Sequence, residues 1–432
     1  MISWKLSSYY FVAIAMLVLC VVFAPALPAQ DSDKPNIVLI VADYMGYSDI
    51  GPYGATDIET PSLNTLADQG AIFSSYYSAS PVCGPSRAAL LSGMYPAKVG
   101  VEENIAARGS GLSSDENTLV HGLKTAGYQT AMVGKWHLGQ GDRFSPNSHG
   151  FDQFLGFHSW TIGYHDHRSP DGAPGLYRDD EPTVEEGYLT DVLTDEAVSF
   201  IEQSSNDPFF LYLAYNTGLP PYQRPDLPEE DWHTGWDVNE ASRQDYVAMV
   251  ESMDQGIGRV LSSLEDAKVA DNTLVIFTYD HGGRHLVDST PLFHGFATLW
   301  EGGIRVPLIM RWPGQFDNAQ AVEHPSVAMD LTATMLAAAG QNEATAALDG
   351  SDLLPILKNE EVESAPPFFW RFGAMWAVRK DNWKYVLDNG TQFLFDLDAD
   401  IGERNNLFAT HPEVAAELRE ALVEWNQTVR AP

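Results

Sequence analysis

Basic residues are scarce in this sequence: 25 Lys plus Arg stand against 59 Asp plus Glu in 432 residues, a formal charge of −34. That balance excludes a general nucleic-acid binder, because phosphate contacts need a basic surface. Any anion site must therefore be a local pocket built from Lys, Arg, His or a metal ion. Cysteine is scarcer still, with only Cys20 and Cys83. Long apolar runs are also wanting: the one from Tyr9 to Phe23 is shorter than the roughly 20 residues needed to span a bilayer. There is no internal repeat and no low-complexity linker. What remains, 44% hydrophobic and 11% aromatic, is ample for a large globular core.

The N-terminal run has a context. Lys5 precedes it, and Ala24-Pro-Ala-Leu-Pro-Ala29 follows it before the charged Asp31 to Lys34, the pattern of a secretory signal over residues 1–29. The alternative, a membrane anchor, is disfavoured by the short run and the lack of stop-transfer charges. Leu17-Val-Leu-Cys20 lacks the small residue expected before a lipid-modified cysteine. The expected product is exported, periplasmic or secreted, with no stable membrane span after signal removal. It carries one thiol, Cys83, and no intramolecular disulfide.

Asn36 to Ala42 and Leu274 to Tyr279 are continuous apolar runs rich in β-branched residues, as in strands covered on both faces, and each ends in an aspartate, Asp43 and Asp280. Thr130–Val133, Phe209–Ala214 and Val306–Met310 are similar. Thr60, Pro61 and Gly70 bracket a helix, and Tyr246, Val250, Met253, Ile257, Val260 and Leu264 recur at helical spacing. The alternation predicts an α/β catalytic domain over residues 30–345, with ligands gathering at the carboxyl ends of its strands. After the segment Gln341–Ala347 the pattern changes. Short strands around Ala374–Val378, Trp383–Leu387 and Phe393–Leu397, the hairpin signal Asp388-Asn-Gly390 and a helix through Val414, Leu418, Leu422 and Trp425 predict an antiparallel sheet with a helix over 346–432.

Cys83-Gly-Pro-Ser-Arg87 runs into Ala88-Ala-Leu-Leu-Ser-Gly93, with Pro85 suited to the first turn of a helix, so Cys83 lies in the positive field of that helix N-terminus. This stretch resembles the signature of the type I, formylglycine-dependent sulfatases of the alkaline phosphatase superfamily. Asn36 to Asp43 with the following loop, Gly134-Lys-Trp-His-Leu-Gly139, Thr278-Tyr-Asp-His-Gly-Gly283 and Trp300-Glu-Gly-Gly-Ile-Arg-Val-Pro307 match other segments of that family in order and spacing.

The resemblance implies an alkaline-phosphatase-like fold, a large mixed, mostly parallel sheet between helices with a small C-terminal antiparallel sheet and helix. It also implies hydrolysis of sulfate monoesters. A formylglycine (3-oxoalanine), made from Cys83 by a formylglycine-generating maturation enzyme, would be the nucleophile. Asp43, Cys83, Asp280 and His281 would surround a Ca2+ ion, Lys135 and His137 would bind sulfate, Arg87 would fix the nucleophile, and Asp280 would also take its proton. Such residue types suit the reaction, which needs an in-line nucleophile, positive charge on sulfate oxygens and a proton for the leaving alcohol.

Three positions depart from the family: Tyr44 replaces a second metal-binding aspartate, Leu219 a histidine near the leaving oxygen, and Phe296 a lysine. Either His294 or His285 supplies what is missing, with His294 a candidate substrate-binding residue, or the protein is a silent glycan binder. A phosphodiesterase or phosphonate hydrolase on the same scaffold is a further alternative. The aromatic and histidine-rich segments Phe157 to His167 and Asp231 to Trp236 suggest a wall facing a sulfated carbohydrate. His165 and His167 could instead hold a second metal, or form an ordinary polar loop.

Overall fold

The computed structural model describes residues 34–429 except 106–109, 116–117, 142 and 317–318; the expected signal segment 1–29 and Cys20 lie outside the described residues. In chain order the strands are Asn36–Ala42 (β1), Ala71–Phe73 (β2), Tyr76–Tyr77 (β3), Gln129–Lys135 (β4), Gln153–Phe157 (β5), Tyr177–Arg178 (β6) and Glu181–Pro182 (β7). Phe209–Ala214 (β8), Thr273–Tyr279 (β9), Leu308–Arg311 (β10), Gln320–Val322 (β11) and Ser326–Val327 (β12) follow.

Ten of these form one sheet in the order β11-β2-β10-β9-β1-β8-β4-β5-β6-β7, while β3 pairs with β12. The central run β9-β1-β8-β4-β5 is parallel throughout. All residues of β1, β8 and β9 are buried, which is why their sequences are apolar without alternation. The run Val306–Met310 yields β10, antiparallel to both of its neighbours.

The longer helices are Pro61–Asp68 (α1), Cys83–Ser92 (α2), Leu119–Thr125 (α3), Leu189–Ser204 (α4), Arg243–Asp266 (α5), Ala328–Ala338 (α6) and Pro412–Thr428 (α7). Helix α5 starts at a reciprocal cap: Ser242 Oγ accepts from Asp245 N–H, and the Asp245 carboxylate accepts from Ser242 N–H. Its stripe Tyr246, Val250, Met253, Ile257, Val260 and Leu264 is buried as expected, where it packs with α1 and α4; α2, α3 and α6 form a second group.

Phe368–Phe372 (β13), Met375–Lys380 (β14), Trp383–Asp388 (β15) and Thr391–Asp396 (β16) make the antiparallel sheet, against which α7 packs. β13 was not expected. Asn389 and Gly390 both take positive φ (47° and 87°), which the tight turn between β15 and β16 requires.

A buried ionic joint ties this sheet to the larger one. Lys384 of β15 holds Glu301 Oε1 at 2.8 Å and Glu403 Oε1 at 2.9 Å, and Arg305 and the Tyr77 hydroxyl both donate to Glu301 Oε2.

Candidate active site

Adjacent parallel strands deliver the site. Asp43 follows β1, Asp280 follows β9, Lys135 ends β4, and the loop Asn216–Leu219 follows β8. The backbones interlock: Asp280 N–H donates to Ala42 C=O, and Asp43 N–H to Thr217 C=O. Gly218 has φ 109°, and a Cβ there would lie 2.0 Å from Asp43 O, so only glycine fits this approach.

Cys83 is the first residue of α2, and Arg87 stands one turn on; every residue of that helix is buried. The Arg87 guanidinium donates from Nε to Asp280 Oδ2 at 2.8 Å, from Nη2 to Asp43 Oδ2 at 2.9 Å and from Nη1 to Lys135 C=O at 2.7 Å. Lys135 Nζ also reaches Asp43 Oδ2, at 2.5 Å. Two carboxylates and two cations therefore share a dry interior, and such burial is tolerable only with this mutual pairing.

The Oδ1 atoms of both aspartates stay outside these pairs. His281 Nε2 lies 3.7 Å from Asp43 Oδ1, 3.6 Å from Asp280 Oδ1 and 3.0 Å from Cys83 Sγ. Asp280 Oδ1 is buried without a hydrogen-bond partner. Asp43, Cys83, Asp280 and His281 offer ligand atoms within 4.8 Å of one another, the one such group of at least three among the described residues. An orphaned carboxylate oxygen facing a second carboxylate and an imidazole fits a divalent cation, with fewer anionic oxygens than calcium commonly takes.

The titration behaviour follows from the same contacts. Burial pushes the Asp280 carboxyl up, but His281, Arg87 and Lys135 outweigh it and hold the group ionised, below the usual carboxylate range. Burial also pulls His281 down, yet Asp280, Cys83 and Asp43 raise it overall, to about 10. His137 is held well below its ordinary value by burial and by the Lys135 and Arg87 cations. It is a neutral imidazole, and its Nδ1 is buried without a partner. Cys83 and His137 each keep about 3% exposure while Asp43, Lys135 and His281 keep none, so the thiol and this imidazole are on the accessible side of the cluster.

The expected residues Asp43, Cys83, Arg87, Lys135, Asp280 and His281 are thus brought together, and His137 lies in their field. The three departures adjoin them. Tyr44 and Phe296 set their rings 6.1 Å and 5.0 Å from the His281 ring, and Leu219 is buried in the loop after β8.

His285 and His294 are exposed. The charged groups facing His294 are Asp388, Arg284 and Arg404, none of them in the cluster. His165 and His167 each pair with a different backbone carbonyl, of Arg224 and of Gly187, and neither belongs to a metal-type group among the described residues. The aromatic segments do meet: His165 stacks on Trp232 at 4.9 Å beside a cavity of about 470 Å³ that His167 and Arg168 also line.

Sequence reasoning passed over Ser86, whose hydroxyl donates to the Asp280 carbonyl, and Asn216, fully buried with both side-chain polar atoms unpartnered. Ser86 stood inside the Cys83–Arg87 motif and Asn216 just after the apolar run Phe209–Ala214, and a polar residue at the end of a buried strand was the available signal.

The sulfatase family profile matches residues 35–341, and the C-terminal profile of N-sulphoglucosamine sulphohydrolase matches residues 293–428. The chain is 35% identical over 398 residues to N-acetylgalactosamine-6-sulfatase of Canis lupus familiaris, covering 85% of this chain and 74% of that protein. It is 29% identical over 535 residues to steryl-sulfatase of Mus musculus, covering 94% and 83%. Among solved structures, Ps i-CgsB superposes with a TM-score of 0.83 at 34% identity, over 91% of this chain and 92% of that one. The same protein has also been solved in complex with k-i-k-neocarrahexaose.

Proposed function

The chain belongs to the type I sulfatase family and is a sulfuric ester hydrolase, and from that premise we propose that it removes sulfate from sulfated poly- or oligosaccharides, using a formylglycine made from Cys83 and a calcium ion. The observation that carries this reading is the seat of Cys83, at the start of a buried helix with Sγ 3.0 Å from His281 and 3.9 Å from Asp43.

As its hydrate, the formylglycine supplies an oxygen nucleophile for sulfur, and the ion supplies positive charge beside it. Asp43, Asp280 and His281 would hold that ion. Arg87 fixes both aspartates and, through the Lys135 carbonyl, the end of β4. Lys135 Nζ and the neutral His137 ring bind sulfate oxygens and favour the charge that develops on them. Asp280, beside the nucleophile, takes its proton. Leu219 has no proton to give, so the leaving oxygen draws on solvent or on His285 or His294.

The carbohydrate class is supported by the relatives whose names specify N-acetylgalactosamine-6-sulfate chemistry or whose structure holds a neocarrahexaose. The pattern of residues 1–29 supports export to the periplasm or medium. The deciding experiment is peptide mass spectrometry of the Cys83 segment after coexpression with a formylglycine-generating enzyme, with sulfate release from sulfated glycans measured on the same preparation. Aldehyde or hydrate at Cys83 together with release is expected. Complete conversion with no release from any sulfated glycan would overturn the reading.

A further inference from the structure

Most arginines on this acidic surface are paired with carboxylates: Arg143 with Asp115, Arg178 with Glu185 and Glu196, Arg243 with Asp57, Arg259 with Asp195 and Arg371 with Glu102. Four exposed arginines, Arg168, Arg419, Arg284 and Arg404, have no carboxylate partner for the guanidinium among the described residues, and the last two stand together.

They flank one loop. Arg404 places its guanidinium carbon 4.2 Å above the Phe293 ring, which lies 4.0 Å from the His294 ring. On the other side, Phe296 N–H donates to Gly283 C=O at 3.0 Å, and the Arg284 Cα lies 3.6 Å from where a Cβ on Gly295 would stand. Burial is the largest cause holding His294 below its ordinary value, and Arg284 and Arg404 add to it against Asp388. The acid that acts on His294, Asp388, is engaged by the Trp300 indole N–H and the Asn389 amide, and Asp400 accepts from the Arg404 backbone N–H at 2.8 Å. Two guanidiniums flanking one loop give it a positive potential that favours an anion there. The patch is continuous with the site, since Tyr44 and Phe296, which it borders, face His281.

We propose that Arg284, His294 and Arg404 form an anion subsite next to the Cys83 cluster that takes a second sulfate of a multiply sulfated glycan. The inference rests on the reading that the cluster receives a sulfate ester. Guanidiniums match the oxygens of a sulfate group in a planar, forked geometry. The same subsite supplies positive charge near the place where Phe296 has removed the family's lysine, but directs it to a neighbouring group of the substrate.

The test is binding, read by calorimetry on protein carrying Cys83→Ala so that turnover does not interfere. The probes are neocarrahexaoses bearing one or two sulfates per disaccharide, and the readout is the ratio of their affinities. We expect a preference for the doubly sulfated probe that falls roughly tenfold in Arg284→Gln combined with Arg404→Gln, returns partly with Arg284→Lys and Arg404→Lys, and shrinks with added salt. Arg419→Gln, an exposed arginine on α7, should keep the preference. An absent preference, or one that survives loss of both arginines, overturns the subsite. Sulfate release is not read here, so failure of the hydrolytic reading is detected separately by the mass-spectrometric and release experiment.

Discussion

Tyr44 and Phe296 pack ring against ring at 4.9 Å, with both rings near His281. These are two of the three positions that the family resemblance marks as departures, where it implies an aspartate and a lysine. On that reading one anion and one cation would have gone together, leaving the formal charge of the site unchanged and an aromatic contact in their place. The exchange spares the desolvation of two charges and contributes ring contact instead. It would also narrow the proposed cation site to Asp43, Asp280, His281 and the group that formylglycine formation would make of Cys83.

Tyr44→Asp should restore an anionic ligand. Tyr44 has φ 57°, a conformation that aspartate tolerates better than tyrosine, so the backbone can accept the change. We expect calcium binding, followed by calorimetry, to tighten by about tenfold or more, because each added carboxylate oxygen suits this ion. Thermal stability should fall modestly through the lost contact with Phe296. Unchanged affinity would show that position 44 does not reach the ion.

Cys83→Ala should abolish sulfate release and leave the fold intact. The thiol contributes little packing, and its partners Asp43 and His281 keep Arg87, Lys135 and Asp280 as neighbours. Release at background with a melting temperature within a few degrees of the parent is the expected pair of results. Substantial residual turnover would remove the formylglycine mechanism.

Arg87→Gln should damage both stability and rate. The guanidinium ties Asp43 to Asp280 with no exposure to solvent on any of the three side chains. Its loss leaves two carboxylates with only Lys135 and His281 between them, and breaking a buried pair costs about 3–5 kcal/mol. Urea unfolding should register that loss. A lysine at this position should recover little, since it cannot serve both aspartates in a forked geometry.

The strands that build the site were legible because burial on both faces writes a continuous apolar run, and Asp43 and Asp280 were legible as the first polar residues after β1 and β9. Helix α5 was legible from its stripe and α1 from Pro61. The orientation of β10 was not, since an apolar run carries no direction, and β13 was hidden in an aromatic stretch, Phe368 to Phe372, with no alternation. Contacts between distant segments leave no period at all. Nothing in the sequence joins Tyr44 to Phe296, His165 to Trp232 or Lys384 to Glu301, and each of these pairs sets the character of its region.

Asp330 should make stability fall as pH rises through mild acid. Its carboxylate accepts from Val327 N–H and Ser351 N–H, both at 2.7 Å, yet burial pushes its pKa up from the ordinary 3.8 to about 7. Between those values the folded state holds a proton that the unfolded chain has released, so raising the pH disfavours folding across that window. Asp330→Asn cannot ionise and cannot accept both bonds at once. The stability advantage of aspartate over this variant should be largest below about pH 4 and narrow by a few kcal/mol towards pH 7. A constant difference in unfolding free energy from pH 4 to pH 8 would contradict the assignment.

Lys384→Met should loosen the joint between the two sheets. In the parent, Lys384 neutralises Glu301 and Glu403 with all three side chains fully buried, and Glu301 in turn receives Arg305 and the Tyr77 hydroxyl. Burial pushes Glu403 up to about 7, while Lys384 pulls it back and Glu301 raises it further. Methionine fills a similar volume but leaves two carboxylates with one cation, at a cost of about 3–5 kcal/mol near neutral pH. Acid should relieve that cost, because a protonated Glu403 no longer needs the ammonium. Adding Glu403→Gln to Lys384→Met should therefore recover part of the stability at pH 7 and almost none at pH 4. Equal recovery at both pH values would mean that lost packing, and not unpaired charge, is what the lysine prevents.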